Sequence, residues 1–451
     1  MQSADVDITR RVLLARTAAF AALLSLNADG IASAAESATL TERERACRDF
    51  YLYGLAALEM LRARARTMGP SANVFRHVRA LATAASRRVT TPNNDTLYSS
   101  AWLNLRGGPI EIAIPATESR YFSLALMDLH SNNFHIIGTR VTRGEAHRIR
   151  LLPPDVTPKH GEVRAPTWWV WAQARTLVES AADLPAAHAV QDAITLDAPM
   201  LPATAAPALL APPFSAAPVA QLAAMARLLD TEAPPAKTDR RFLARLRHLG
   251  LTTSALAAPD AEMTLACERG IAEARRQIGD VIDAAPIVDG WIYARPSIGD
   301  FGTDYLYRAA IAVWGLAALP MVEAIYVRAA GPGPQASFDG ARAHRIRFDR
   351  DQVPPVSAFW SLSLYELMPS GELFFFDNAL QRFAIGDRTP GLQFASDGSL
   401  EIHISADEPT DARRSNWLPC PRGAFVLILR AYLPAKRLIE GRYRVPPVIP
   451  V

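Results

Sequence analysis

Eight consecutive residues, Thr91-Pro-Asn-Asn-Asp-Thr-Leu-Tyr98, gather two amides, a carboxylate, two hydroxyls and a phenol at the start of a strand-like stretch. Asn93 and Asn94 could donate to an oxygen as negative charge builds on it, Asp95 could accept or orient, and Tyr98 could relay a proton. The same residues after a proline also suit an Asx-type turn, in which side-chain oxygens satisfy nearby backbone donors. Both readings stand on the residues alone. Asp128 closes the run Tyr121–Asp128 on the face shared by Phe122, Leu124 and Leu126. A carboxylate there loses solvation and holds its proton more tightly, which suits acid–base work, though a strand-end Asp also caps turns. Asn93, Asn94, Asp95, Tyr98 and Asp128 are therefore the catalytic candidates. Asn132, Asn133, Trp360, Tyr365 and Trp417 are the candidates for touching substrate. Asp128, His130 and His135 could offer a carboxylate and two imidazoles to a metal, but His135 lies across a loop and no metal site is assigned.

These residues need a frame. Apolar spacing predicts a helix over Thr41–Met68, with Phe50, Tyr53, Leu58 and Leu61 close to one face and Gly69-Pro70 ending it. Short strands are expected at Leu97–Trp102, Ile110–Ile114, Tyr121–Met127, His135–Val141 and Thr167–Ala172. An Ala-, Leu- and Arg-rich middle follows, with helical spacing over Val219–Leu229, Asp239–Leu249, Glu262–Asp280 and Asp304–Ala329. Strands resume at Arg345–Phe348, Ala358–Glu366, Glu372–Phe376, Leu400–Ile404 and Ala424–Leu433. Tyr121-Phe-Ser-Leu-Ala-Leu-Met-Asp128 is echoed by Phe359-Trp-Ser-Leu-Ser-Leu-Tyr-Glu366. The expected fold is α+β, with two related β-sandwich, jelly-roll-like modules flanking a mainly helical middle. Domain limits are placed at 35–183, 184–331 and 332–451.

Thr9-Arg10-Arg11, a modest apolar run and Ala32-Ser33-Ala34 read as a twin-arginine signal over residues 1–34, implying a periplasmic or secreted chain. No later stretch reaches the roughly 18 to 20 apolar residues of a membrane span. Residues 1–34 carry three Arg and three Asp, so the net charge of +3 is unchanged by their removal. With a balance so near neutral and no basic run, binding to nucleic acid or to an anionic membrane has little support. Three distant cysteines, Cys47, Cys267 and Cys420, exclude a zinc ribbon and allow at most one internal disulfide. Serine-hydrolase elbow, phosphate loop, dinucleotide fingerprint and His-Glu-x-x-His are all missing from the sequence. No cofactor is assigned, and a homo-oligomer is left open.

Taken as blocks, the chain resembles the paired families known as domains of unknown function 1254 and 1214. The first resemblance rests on Tyr51-Leu-Tyr53-Gly54, Pro92–Ser99, Gly108-Pro109, Arg120-Tyr121 and Asp128–Gly138. The second rests on Phe359–Tyr365, Arg382–Arg388, Asp397–Leu400, Asn416–Pro419 and Leu429–Tyr432. Phe338–Ala341 is abbreviated against the second pattern, and His130 and His135 depart from the first. The resemblance implies a bacterial, often exported, two-part β-rich protein, and it suggests lyase-type elimination on a uronic-acid saccharide. A noncatalytic protein whose modules enclose a small-molecule ligand, or form an assembly surface, is the alternative.

Overall fold

The computed structural model describes residues 40–451 apart from 69, 70, 88 and 200–209. It is α+β with a helical middle region. The signal expected over 1–34 lies outside the described residues.

Helix Glu42–Thr67 begins with a reciprocal cap: the Thr41 side chain accepts from Glu44 N, and the Glu44 carboxylate accepts from Thr41 N. Its Phe50, Tyr53, Leu58 and Leu61 share one core with Leu222 and Met225 of helix Pro218–Thr231, Ile271 of helix Ala261–Asp283 and Ala309 of helix Tyr305–Trp314. The N-terminal helix thus belongs to the helical layer. The helix expected over Asp304–Ala329 ends at Trp314, because Gly315 closes it and Pro320 follows, and Ala324–Ala329 is instead a strand.

The first set of strands comprises β1 (Arg76–His77), β2 (Thr96–Asn104), β3 (Ile110–Ile114), β4 (Phe122–Met127), β5 (Asn133–Gly138), β6 (His147–Leu152), β7 (Glu162–Arg164), β8 (Trp169–Leu177) and β9 (Thr195–Asp197). They form two sheets, in the orders β1-β2-β8-β4-β5 and β7-β6-β3-β9. Leu103, Leu124 and Val170 of the larger share a core with Ile112, Ile149 and Leu151 of the smaller.

The second set comprises β10 (Ile287–Val288), β11 (Trp291–Tyr293), β12 (Ala324–Ala329), β13 (Phe338–Asp339), β14 (His344–Phe348), β15 (Val356–Leu367), β16 (Leu373–Phe375), β17 (Ala384–Gly386), β18 (Leu400–Ser405), β19 (Trp417–Pro419), β20 (Ala424–Pro434) and β21 (Ile449–Pro450). The larger sheet runs β10-β11-β12-β20-β15-β16, with β17 also on β15 and β13 on β20, and the smaller runs β19-β18-β14-β21. Leu362, Leu364 and Leu429 on one side meet Ile346, Ile402 and Ile404 on the other.

One strand plan is used twice. The order β2-β8-β4-β5 matches β12-β20-β15-β17, and β9-β3-β6-β7 matches β21-β14-β18-β19, each of the latter ending in a parallel pair. The two echoed sequences fall on β4 and β15, where Ser123 lies opposite Arg175 and Gly138, and Ser361 lies opposite Arg430 and Gly386. A Cβ on Gly138 would overlap the Phe122 carbonyl oxygen, and one on Gly386 would overlap that of Trp360, so the same close approach demands glycine in both copies. Tyr121 and Phe359 meet edge-on at 5.6 Å across the modules, inside a core shared with Leu177, Ala324 and Tyr432. The sheet pairings run past the expected limits at 184 and 331: β9 pairs with β3, and β12 pairs with β20.

Candidate functional site at the junction of the modules

Residues 90–95 leave the first module and lie on the second. Thr91 N donates to the Leu373 carbonyl, and the Tyr365 hydroxyl donates to the Pro92 carbonyl at 2.7 Å. Asn93 Oδ1 accepts from Asp95 N at 2.6 Å while its amide donates to the Tyr432 hydroxyl at 2.9 Å. Asn93 therefore both closes an Asx-type turn and ties that turn to β20. Asp95 is buried; one carboxylate oxygen accepts from Arg388 Nη2 at 2.6 Å and the other from the Ser361 hydroxyl at 2.7 Å. Arg388 also donates to the Val178 carbonyl at 2.9 Å and lies 4.4 Å above the Phe359 ring.

Beside this pair opens a pocket of about 420 Å³ lined by Asn94, Asp95, Glu179, Ser361, Arg382, Arg388 and Thr389, among others. Arg382 donates only to the carbonyls of Arg414, Ser415 and Trp417, so among the described residues no carboxylate matches its charge. Burial, and then the neighbouring Arg414, pull its pKa down. Asn94 Oδ1 and Arg388 Nε are buried in the same wall without hydrogen-bond partners. Burial pushes the adjacent Asp387 carboxyl up to about 6, against the Trp360 N–H that it accepts. The pocket thus combines the paired Asp95 and Arg388 with an Arg382 that meets no carboxylate, an unpartnered Asn94 amide oxygen, and the Ser361 and Thr389 hydroxyls, each already in one hydrogen bond, a lining that suits a polar, hydroxyl-rich molecule.

Of the ten residues singled out from sequence, Asn94 and Asp95 line this pocket. Tyr98 lies two residues along β2 with its ring 5.4 Å from the Arg175 guanidinium, on the face turned to the second module. Asp128 is elsewhere. Thr96 pairs with Leu177 and Met127 pairs with Trp171, and Asp95 and Asp128 each lie one residue beyond those pairs, so about eight residues along β8 separate them, roughly 26 Å at about 3.3 Å per residue. The amide corner and Asp128 therefore do not share one hollow. Asp128 Oδ1 accepts from His130 N and Asn132 N, both at 2.9 Å, in the turn after β4. Burial raises its pKa to about 6, opposed by those N–H groups.

The five substrate-contact candidates are held by the fold. Asn132 accepts from Phe301 N, and Asn133 donates to the carbonyls of Gly299 and Ala318, stitching the turn to the helical layer. Trp360 packs in the second module's core, the Tyr365 hydroxyl is bound to Pro92, and the Trp417 indole donates to the Ser405 carbonyl at 2.9 Å. All three rings are buried. His130 is buried beside Tyr53, and burial, then Arg308, drive its pKa down to about 3, so it stays neutral. Among the described residues no three His, Cys, Asp or Glu side chains gather as metal ligands would. Sequence does not mark Arg382, Arg388 and Ser361 as site residues, because their partners are hundreds of positions away or are backbone carbonyls. The signal that could have found them is a pair of arginines, Arg382 and Arg388, flanking the short strand Ala384–Gly386 that pairs with the Trp-Ser-Leu run.

The solved structures give the fold a precedent. The VPA0106 protein of Vibrio parahaemolyticus matches with a TM-score of 0.69 at 21% identity, over 91% of this chain and 100% of that one, a likeness of fold alone. An uncharacterised protein of Burkholderia cenocepacia aligns over 98% of each chain at 14% identity, with a TM-score of 0.45. No curated protein matches the sequence. Residues 72–198 match the family described as protein of unknown function DUF1254, and residues 323–436 match protein of unknown function DUF1214. The first match spans β1 to β9 and the second spans β12 to β20, and the chain is a paired DUF1254–DUF1214 protein.

Proposed function

We propose that this protein is an exported binding protein for a small, hydroxyl-rich molecule carrying a carboxylate, of the sugar-acid class, and that each module is a β-sandwich holding one wall of the site. The observation that carries the reading is the junction pocket, where Asn94 from one module faces Arg382, Arg388 and Thr389 from the other. Arg382 meets the ligand carboxylate; Asn94, Ser361 and Thr389 meet hydroxyls. Binding is favoured over turnover because the two carboxylates singled out from sequence for moving protons are committed elsewhere. Asp95 is neutralised by Arg388, and Asp128 holds its own turn.

Thermal unfolding across a panel of uronic and hydroxy acids tests the proposal. A sugar acid gives saturable stabilisation that Arg382→Met and Asn94→Ala weaken at least tenfold, with no ultraviolet-absorbing unsaturated product. Stabilisation by no member of the panel, or equal affinity in both variants, would overturn binding at this pocket. An unsaturated uronate accumulating with the wild-type protein would replace binding by elimination.

A further inference from the structure

The duplicated plan places two arginines in matching positions between the outer faces of the large sheets. Arg175 on β8 lies opposite Tyr98 of β2 and Ser123 of β4; Arg430 on β20 lies opposite Tyr326 of β12 and Ser361 of β15. Both are about 95% buried, at 4% and 5% exposure. A guanidinium stays charged on burial, so each needs acceptors or a counter-charge.

Their surroundings differ. Arg430 donates to the Ser363 hydroxyl at 2.8 Å and to the Thr91 carbonyl at 3.2 Å. Arg175 donates only through Nη2, to the Ala317 carbonyl at 3.0 Å, and its Nε and Nη1 meet no acceptor. The nearest acids occupy matching positions just before β2 and β12 and are already engaged. Asp95 is held by Arg388 and Ser361. Glu323 is held by Arg140 at 2.7 Å and by the Tyr121 hydroxyl at 3.0 Å. The interface therefore keeps two positive charges that the described residues do not neutralise. Tyr326 and Tyr432 lie within the electrostatic influence of both guanidiniums, and Tyr98 and Tyr326 are only half-buried, so the rim of the cluster touches the surface while the free N–H groups of Arg175 are themselves buried.

We propose that this interface is a second binding site, for a small oxyanion (a carboxylate or a phosphate), held by the free N–H groups of Arg175 with Arg430 and the phenols of Tyr98 and Tyr326 around it. It is independent of the sugar-acid reading of the outer pocket. The anion joins the two modules by neutralising charge that each contributes.

The test uses the full-length purified protein in a low-anion buffer, titrated with inorganic phosphate or malonate against sodium chloride at matched ionic strength. At least one probe raises the melting temperature saturably, by about 2 °C or more beyond chloride, and which probe does so separates phosphate from carboxylate recognition. Arg175→Met abolishes that rise while Arg382→Met, in the outer pocket, keeps it. No rise beyond chloride with either probe, or a rise that survives Arg175→Met, overturns the site. Should Arg175→Met fail to fold, Arg175→Lys decides: it keeps the charge but loses the planar donors, and calorimetric affinity for the active probe falls at least about tenfold. Unchanged affinity in that variant also overturns the proposal.

Discussion

Asp95 is the residue through which the two modules are tied most directly, since both its oxygens are taken by groups more than 260 positions away in sequence. Arg388→Met leaves a buried carboxylate with one neutral donor, Ser361, and is expected to cost about 3 kcal/mol in chemical denaturation, as breaking buried pairs does. A loss below about 1 kcal/mol would show the pair to be solvent-screened. Asp128 behaves oppositely. Its folded pKa of about 6 stands above the ordinary 3.8, so its contribution to stability is fully present below about pH 4 and is lost as pH rises through 6. Asp128→Asn removes that ionisation. The variant's stability relative to wild type should improve by roughly 2–3 kcal/mol between pH 4 and pH 7.5. A pH-independent difference would contradict the burial of an ionisable carboxyl there. Neither role could be read with certainty from the sequence. Asn and Asp at strand ends suit turns and sites alike, and only the register of β2, β8 and β4 separates Asp95 from Asp128.

At the scale of elements, local pattern was informative wherever burial has a period. The N-terminal helix, β3 and the echoed strands β4 and β15 lie where apolar spacing puts them, because one face of each is a core face. The error over Asp304–Ala329 has a local cause: an Ala-rich run suits a helix until Gly315 and Pro320 interrupt it, and Ala324–Ala329 then gains its strand bonds from distant β20. Gly138 and Gly386 are the sharpest sign that the echoed strands are structurally equivalent. Gly138→Ala and Gly386→Ala should each destabilise by about 2–3 kcal/mol, because the added methyl meets backbone and cannot be accommodated by a rotamer change. Thermal or urea unfolding of both variants measures this, and tolerance in either copy would deny the shared packing. Arg175 and Arg430 were legible in one respect only: each interrupts a strand otherwise rich in apolar or small residues, Ala174-Arg175-Thr176 and Leu429-Arg430-Ala431.

For the whole molecule, three layers meet around the outer face of the first large sheet. Its Trp102, Met127 and Trp169 join the helical core, and its Tyr121, Ala125 and Leu177 join the contact with the second module. The polar residues between, Tyr98 and Arg175 among them, lie at a boundary between packed layers, where ligand sites are commonly placed. The paired arrangement was legible from the Phe-Ser-Leu echo and the block order; the facing of the two sheets was not, because nothing in either strand's alternation says which module covers its outer side. The proposed export belongs to this scale too. Changing Arg10 and Arg11 together to Lys should retain the protein in the cytoplasm on fractionation, and undiminished periplasmic yield would refute the twin-arginine assignment. No helix among the described residues is long and apolar enough to cross a membrane.

The central claim is that the junction of the two modules holds a small polar ligand. A crystal structure of the wild-type protein grown with the sugar acid that stabilises it most strongly tests this directly. The account predicts ligand density between Asn94 and Arg382, with the carboxylate within about 3 Å of the guanidinium as a charge-assisted hydrogen bond requires. Ligand bound away from that junction, with the Asn94–Arg382 pocket empty in the same crystal, would contradict it.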